Sequence, residues 1–132
     1  PNSILKNDIP PEIQPTVIPE EQIVSKLGPS MLDTIKIAMK PKIFDQKKAD
    51  LTNEYFLKNW LEFAQPLREK MLDFEIIWNS MGDCGALRTP EDAKLDSNFY
   101  KDALKYGRFI RDRYTILDLA GDSNQLNKLI NV

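Results

Sequence analysis

The chain has 132 residues, of which 42% are hydrophobic and 29% charged, and its formal net charge is −2. These values fit one folded domain, and so small a net charge does not steer the whole molecule toward nucleic acid or acidic membranes. The sequence contains no histidine and a single cysteine, Cys84, which excludes Ser-His-Asp and Cys-His catalysis, histidine-ligated zinc and an internal disulfide. No apolar run exceeds three residues, whereas a transmembrane helix needs about 20, so no membrane partner is expected.

Prolines dominate the N-terminal segment, residues 1–18, and Pro19 follows directly after it. Because proline fixes φ and lacks an N–H, we expect these residues to form an extended arm without helix. The arm carries too many apolar residues for a solvated linker, so it either straps across its own domain or docks on a partner. The residues assigned to partner binding are Ile4, Leu5, Ile9, Ile13 and Val17.

Residues 19–132 are predicted to form a helical domain. Pro19 and Pro29 each stand where a helix begins, since proline is favoured in the first helical turn. Pro41 ends the second of these helices, and a lysine-rich connection over residues 42–50 follows.

The strongest pattern in the chain runs from Leu51 to Met81 and predicts one long helix. Its apolar residues recur at steps of three and four, which is typical of one buried helix face. They are Phe56, Trp60, Phe63, Ala64, Leu67, Met71, Phe74, Trp78 and Met81. Pro66 lies in the middle, so we expect a kink or a break near Ala64 and Gln65. We interpret the whole stripe as core.

A second long helix is predicted from Asn98 to Ala120. Before it, Thr89-Pro90-Glu91-Asp92 has the pattern of a capping box and predicts a further helix start. Gly107 lies on the apolar face of the long helix, which indicates a close helix–helix crossing there. Sustained period-two alternation is absent from the sequence. The predicted fold is therefore all-α: a single-domain irregular helical bundle built on two long antiparallel helices, with an extended Pro-rich N-terminal arm.

Two segments carry local positive charge, +4 over residues 36–48 and +3 over residues 100–113. Cations interleaved with aromatic residues suit phosphate contacts and base stacking, so these segments are a candidate nucleic-acid site if the fold brings them together. The candidate anion-binding or nucleic-acid-binding residues are Lys40, Lys42, Lys47, Lys48, Lys101, Lys105 and Arg108.

The sequence offers few other candidate metal-binding or catalytic residues. Glu62, Glu69 and Asp73 share one face of the predicted long helix, where carboxylates could hold a divalent cation or act as acid and base. Neighbouring cations offset their charge, and we interpret them as an exposed acidic face. Cys84 has no histidine to serve as its base, and Asp83 beside it disfavours the thiolate, so we interpret Cys84 as a turn residue.

The function expected from these observations is that of a non-enzymatic protein–protein interaction or assembly module. It would be an accessory or structural factor of a larger complex, and the richness in Ile, Asn, Lys and Asp suggests a phage or mobile-element origin. Its partner would be another protein or a second copy of the chain, with no catalytic residue, metal or cofactor and a cytoplasmic location. Two alternatives stay open: a nucleic-acid-associated accessory factor, and a small carboxylate- or metal-dependent enzyme or enzyme subunit.

Overall fold

The computed structural model describes residues 2–130 of the chain. Within that range the backbone forms eight α-helices and two 3₁₀ turns, with no strand, which confirms the all-α prediction. The helices are α1 (Asn2–Lys6), α2 (Glu20–Leu27), α3 (Ser30–Met39), α4 (Gln46–Lys70), α5 (Phe74–Asp83), α6 (Ser97–Gly107), α7 (Ile116–Asp122) and α8 (Leu126–Ile130). The 3₁₀ turns are η1 (Lys40–Lys42), directly after α3, and η2 (Arg108–Ile110), directly after α6.

The N-terminal segment is only partly the extended arm that its prolines predict. Its first described residues form α1, because the prolines that enforce an extended backbone begin at Pro10 and leave the residues before them free to be helical. The remainder, residues 7–19, is irregular. Pro1 belongs to the predicted arm but lies outside the described residues, as do positions 131–132 of the predicted helical domain.

Side chains of α4 hold the irregular segment on the surface of its own chain. The indole Nε1 of Trp60 donates to the carbonyl of Asn7 at 2.8 Å, and Arg68 Nη2 donates to the same carbonyl at 2.9 Å. Asn53 makes two hydrogen bonds to the backbone of Ile13, at 2.7 and 2.8 Å. Farther along, the N–H of Thr16 donates to the backbone carbonyl of Phe44 at 2.8 Å. Residues 7–19 therefore lie across their own domain, and we call them the strap.

Local capping signals place several helix starts as the sequence predicts, but α4 begins earlier than Leu51. Pro19 and Pro29 are the N-cap residues of α2 and α3. α4 begins at Gln46 because the Asp45 side chain accepts a hydrogen bond from the Lys48 N–H at 2.7 Å, the standard N-cap contact.

The long helix is interrupted after Lys70, and α4 continues through Pro66 as one element, so a break near Ala64 and Gln65 is wrong, while a kink there stays a prediction. Pro66 deletes one hydrogen bond, to the carbonyl of Glu62, and both residues are exposed. The helix ends where Met71 becomes extended, with ψ 123°. Asp73, also extended with ψ 145°, then precedes α5.

The second long helix predicted for residues 98–120 is not formed as one element. α6 ends at Gly107, η2 follows, and α7 starts only at Ile116. The new start is a capping box that the sequence reading missed: the side chain of Asp118 accepts from both the N–H and the hydroxyl of Thr115 at 2.8 Å. Among the described residues α4 is therefore the one long helix, and the predicted antiparallel pair of long helices is absent.

The capping box predicted at Thr89 forms, yet no helix follows it. Thr89 and Asp92 exchange the two expected hydrogen bonds, each 3.0 Å long. The chain makes one turn and leaves it through Lys94, whose φ is 53°. The helix that does form, α6, is capped by Asp96, whose side chain accepts from two backbone N–H groups at 3.0 and 2.9 Å.

Buried apolar residues form two separate clusters. The first core joins α1, the strap, α4, α7 and α8, and contains Ile4, Leu5, Ile13, Ala49, Phe56, Trp60, Ala64, Leu119, Ala120 and Leu126. The second core joins α2, α3, α6 and η2, and contains Ile23, Ile35, Met39, Tyr106 and Phe109. Helix α5 and the loop after it contribute a buried residue to neither core.

Candidate interaction surface

Four charged side chains are buried between the two cores: Lys42, Arg108, Asp118 and Asp122. In the sequence, Lys42 and Arg108 lie close to residues of the second core, and the two aspartates lie close to residues of the first core. Lys42 Nζ lies 2.8 Å from the Asp118 carboxylate and also donates to the Arg108 carbonyl. The Arg108 guanidinium pairs with Asp122, and its Nε lies 3.5 Å from Asp118. Two cations thus neutralise two anions.

Uncharged groups complete this ionic network. Thr16 of the strap donates its hydroxyl to Asp122 at 3.3 Å, and Tyr114 donates its hydroxyl to the same carboxylate at 3.2 Å. Burial, together with the Asp122 carboxylate, raises the pKa of Tyr114 well above its usual value. Because each charge has an opposite charge against it, the network fastens the strap, η1, η2 and α7 to one another, and it is a structural joint rather than a ligand site.

A glycine makes room for this network, but not the glycine that the sequence indicated. A Cβ at Gly121 would overlap the Arg108 guanidinium, so the guanidinium occupies the space that a side chain would need. At Gly107, where a close helix crossing was predicted, a Cβ would have no atom within 4 Å, and that prediction is wrong. Gly107 ends α6 and borders an open cavity instead of another helix.

The seven basic residues predicted to bind nucleic acid fall into a buried group and an exposed group. Lys42 and Arg108 are buried in it, and their mutual contact is what joins the two basic segments. Because that contact is internal, it adds no positive charge to a surface. The other five side chains are exposed, namely Lys40, Lys47, Lys48, Lys101 and Lys105.

The apolar residues of the predicted arm separate in the same way. Ile4, Leu5 and Ile13 are buried in the first core. Ile9 and Val17 are 73% and 77% exposed, so they are the members of this set that a partner could contact.

The candidate carboxylates do not converge. Asp73 pairs with Lys6 at 3.2 Å, and Glu69 accepts from Gln65 at 2.9 Å. Within residues 2–130 no group of three or more potential ligands is placed to hold a metal ion. In the same part of the chain, no helix combines the length and the apolar character that crossing a membrane requires. Cys84 is exposed, directly after the last residue of α5.

Helix α5 presents an apolar face that belongs to neither core. Phe74, Ile77, Trp78 and Met81 follow one another at the spacing that places side chains on one helix face, and we call this set the α5 surface. All ten residues of α5 are described and none is buried; Phe74 is 63% and Ile77 45% exposed.

The α5 surface corrects the interpretation of the long apolar stripe as core throughout. Its first part is buried, with Phe56, Trp60 and Ala64 inside the first core, but Phe63 and every member after Ala64 are outside the set of buried residues. The strap and α7 cover only the first part of α4, and the break after Lys70 separates α5 from both cores. The apolar spacing in the sequence indicated this face. No local feature of the sequence distinguished its buried part from its exposed part.

A loop side chain packs against one edge of this surface. The guanidinium of Arg88 lies 4.9 Å from the centre of the Trp78 ring, a cation–π arrangement. It also lies beside Gly82, where a Cβ would be only 2.7 Å from Arg88 Nη1. The two aromatic rings of the surface are in contact, since the centroids of Phe74 and Trp78 are 5.4 Å apart.

Comparisons of this chain with protein-family models, curated proteins and solved structures give no match. Function must therefore be inferred from the surface and the side chains themselves. Between the strap, α4 and α7 lies a further feature, an apolar cavity of about 340 Å³ lined by uncharged side chains. The α5 surface is covered by no residue of either core; Phe74 and Ile77 are exposed, and Trp78 and Met81 are partly buried.

Proposed function

We propose that this protein is a non-enzymatic interaction or assembly module that docks a protein partner on the α5 surface. The observation that carries the proposal is the absence of any buried residue in α5, although the helix has a continuous apolar face. Monomeric proteins rarely leave such a face in water, and faces of this kind commonly mark binding sites.

The chemistry of the face supports a helix-in-groove contact. Anchors at positions i, i+3, i+4 and i+7 are the ones by which an amphipathic helix is bound in an apolar groove. The pair Phe74 and Trp78 supplies aromatic side chains of the kind that contribute most to binding energy. Full burial of an exposed apolar side chain contributes about 1.5–3 kcal/mol; Phe74 and Ile77 would contribute part of that, and Trp78 and Met81, already partly buried, would contribute less. Association costs roughly 4–15 kcal/mol, so α5 alone supports a weak to moderate affinity.

The buried charged groups support a non-catalytic role. Lys42, Arg108, Asp118 and Asp122 neutralise one another, and their polar neighbours are hydrogen-bonded to them. A catalytic acid, base or nucleophile needs an open approach for its substrate. These buried groups link the two cores, which is a structural role.

Cross-linking from Cys84 tests the proposal. This residue is exposed, follows α5 directly, and is the one cysteine in the sequence. A photoactivatable cross-linker on Cys84 should give a discrete protein adduct in an extract of the cells in which the protein occurs. Ile77→Glu should abolish the adduct, whereas Asn79→Glu, with the same charge on the polar side of α5, should preserve it. Equal adducts from both variants, with unchanged circular dichroism, would refute the proposal.

A further inference from the structure

The apolar cavity of about 340 Å³ is a second candidate site, separate from the α5 surface. Its walls come from α1, the strap, α4, α7 and the connections before α4 and α7. Its most buried lining residues belong to the first core: Leu5, Ile13, Phe56 and Leu119. Three other lining residues, Phe63, Leu67 and Tyr114, are 39%, 40% and 42% exposed. The cavity therefore reaches into the first core and is open to solvent at this rim.

The lining is uncharged, and its hydroxyl groups are already used within the chain. All eleven lining residues belong to the part of the chain that the structure describes, and none of them is charged. Thr52 donates its hydroxyl to a backbone carbonyl at 2.8 Å. Thr115 and Tyr114 donate theirs to the buried aspartates, at 2.8 and 3.2 Å. The lining side chains therefore offer a bound molecule no free proton to accept and no charge to pair with.

Such a lining favours apolar molecules over water. A well-held water needs two to four polar partners, which the side chains of these walls do not supply. Displacing poorly held water by an apolar group is favourable, because it removes apolar surface from water without the loss of strong hydrogen bonds. A charged or strongly hydrogen-bonding molecule would instead lose its hydration without a compensating contact. The lining therefore selects a neutral, apolar ligand.

Two aromatic pairs in the lining favour a ligand built of rings. The centroids of Phe44 and Tyr114 are 5.6 Å apart in an edge-to-face arrangement, and those of Phe56 and Phe63 are 5.2 Å apart. Aromatic side chains accept a further ring in offset or edge-to-face contact. The cavity volume lies at the lower end of the roughly 300–1,000 Å³ of ligand pockets, and it is about twice that of an apolar cavity that binds benzene, roughly 150 Å³. It therefore suits about two fused rings.

We propose that this cavity binds a small neutral aromatic molecule of about two fused rings. The inference goes beyond the proposed function and does not depend on it, since no residue of α5 lines the cavity. The bound molecule would contact α1, the strap, α4 and α7 together, because residues of all four line the cavity. A molecule that binds only the folded chain stabilises it in proportion to its occupancy. The ligand would therefore tighten the packing of the N-terminal segment on its own domain.

Titration with naphthalene, followed by NMR of the isoleucine δ1 methyl groups, tests the proposal. The signals of Ile13 and Ile116, the two isoleucines of the lining, should shift and saturate together. Those of Ile23 and Ile35, in the second core, should not move. The melting temperature should rise with naphthalene concentration. Absence of saturable shifts, or equal shifts in both cores, would refute the site, as would a shift confined to Ile77 of the α5 surface.

A blocked rim and a matched control separate the cavity from other apolar surfaces. Leu67→Trp adds volume at the half-exposed rim and should weaken naphthalene binding by about tenfold or more, because overfilling a site is unfavourable. Leu61→Trp makes the same change at an exposed position of α4 outside the lining, and this variant should bind like the native chain. If Leu67→Trp lacks native circular dichroism, Phe63→Trp at the same rim takes its place. Native affinity in a folded rim variant would overturn the proposal.

Naphthoate, which has the same two rings and a carboxylate, tests whether the site is selective for a neutral ligand. It should bind about tenfold or more weakly than naphthalene, because the lining has no cation to pair with it. The nearest cation given by the aromatic contacts of the lining is Lys48, whose Nζ lies 4.6 Å from the centre of the Phe44 ring. Equal or tighter binding of naphthoate would overturn the neutral ligand in favour of a carboxylate held at Lys48.

Discussion

Replacing Lys42 by methionine is the most direct test of the joint between the two cores. Methionine keeps an unbranched apolar stem but removes the ammonium group, which lies 2.8 Å from Asp118 and donates to the Arg108 carbonyl. Asp118 is 1% exposed, so bulk water does not reach its carboxylate. After the change its carboxylate keeps Thr115 at 2.8 Å and the Arg108 Nε at 3.5 Å.

The expected loss of stability follows from that burial. Removing one partner of a buried ion pair costs about 3–5 kcal/mol; here the change leaves two buried carboxylates, Asp118 and Asp122, with Arg108 as their one cation. A domain of this length is stable by roughly 5–15 kcal/mol, so the variant should fold but lose a large share of its stability. The melting temperature should fall by roughly 10–20 °C. The exposed pair between Lys58 and Glu54 provides the control, since Lys58→Met should change stability by about 0–1 kcal/mol.

Urea unfolding followed by tryptophan fluorescence and circular dichroism measures these values. A double-mutant cycle with Asp118→Asn, which retains a side-chain oxygen for the Thr115 cap, isolates the pair itself. We expect a coupling energy of at least about 2 kcal/mol, with the double variant more stable than the sum of the single changes predicts. A loss below about 1 kcal/mol for Lys42→Met, or a coupling near zero, would show that the network is not the joint described here.

Two further predictions concern the same region. Gly121→Ala should destabilise the protein by about 1–3 kcal/mol, because its Cβ would overlap the Arg108 guanidinium. Gly107→Ala, with no atom within 4 Å of its Cβ, should stabilise it by about 0.5–1 kcal/mol; equal melting temperatures for the two variants would contradict both assignments. Burial, together with Asp122, raises the pKa of Tyr114, so its neutral form contributes stability that is full below about pH 10 and declines above it. Ionisation of tyrosines raises the absorbance at 295 nm, and Tyr114→Phe should leave the rise between pH 9 and 11 almost unaltered. The sequence has four tyrosines. Loss of a quarter of the rise, the share of one tyrosine, would be inconsistent with a raised pKa of Tyr114.

The all-α fold and several helix starts were predictable from the sequence because their causes are local. Pro19 and Pro29 precede helices as their restricted backbones favour, and Asp96 caps α6 with its own side chain. The helical period over residues 51–81 likewise predicted helix, and most of that segment is helical. Each of these features depends on residues within about one helical turn of each other.

Local signals alone did not decide how far an element continues. The capping box at Thr89 forms its hydrogen bonds and still yields one turn, whereas the one at Thr115, unnoticed in the sequence, starts α7. Pro66 is accommodated within α4, and the break lies farther on, at Met71. In each case the motif by itself does not set where the helix ends, since tertiary context overrides local preference.

Tertiary structure decided which side chains are available for function. Lys42 and Arg108 were predicted from the sequence to be solvent-exposed cations, but both are buried, because Asp118 and Asp122 of α7 pair with them. The apolar stripe read as core, and its later part is exposed because neither the strap nor α7 extends over α5. Periodicity states that a helix has an apolar face; whether another element covers that face depends on long-range packing, which no local pattern records.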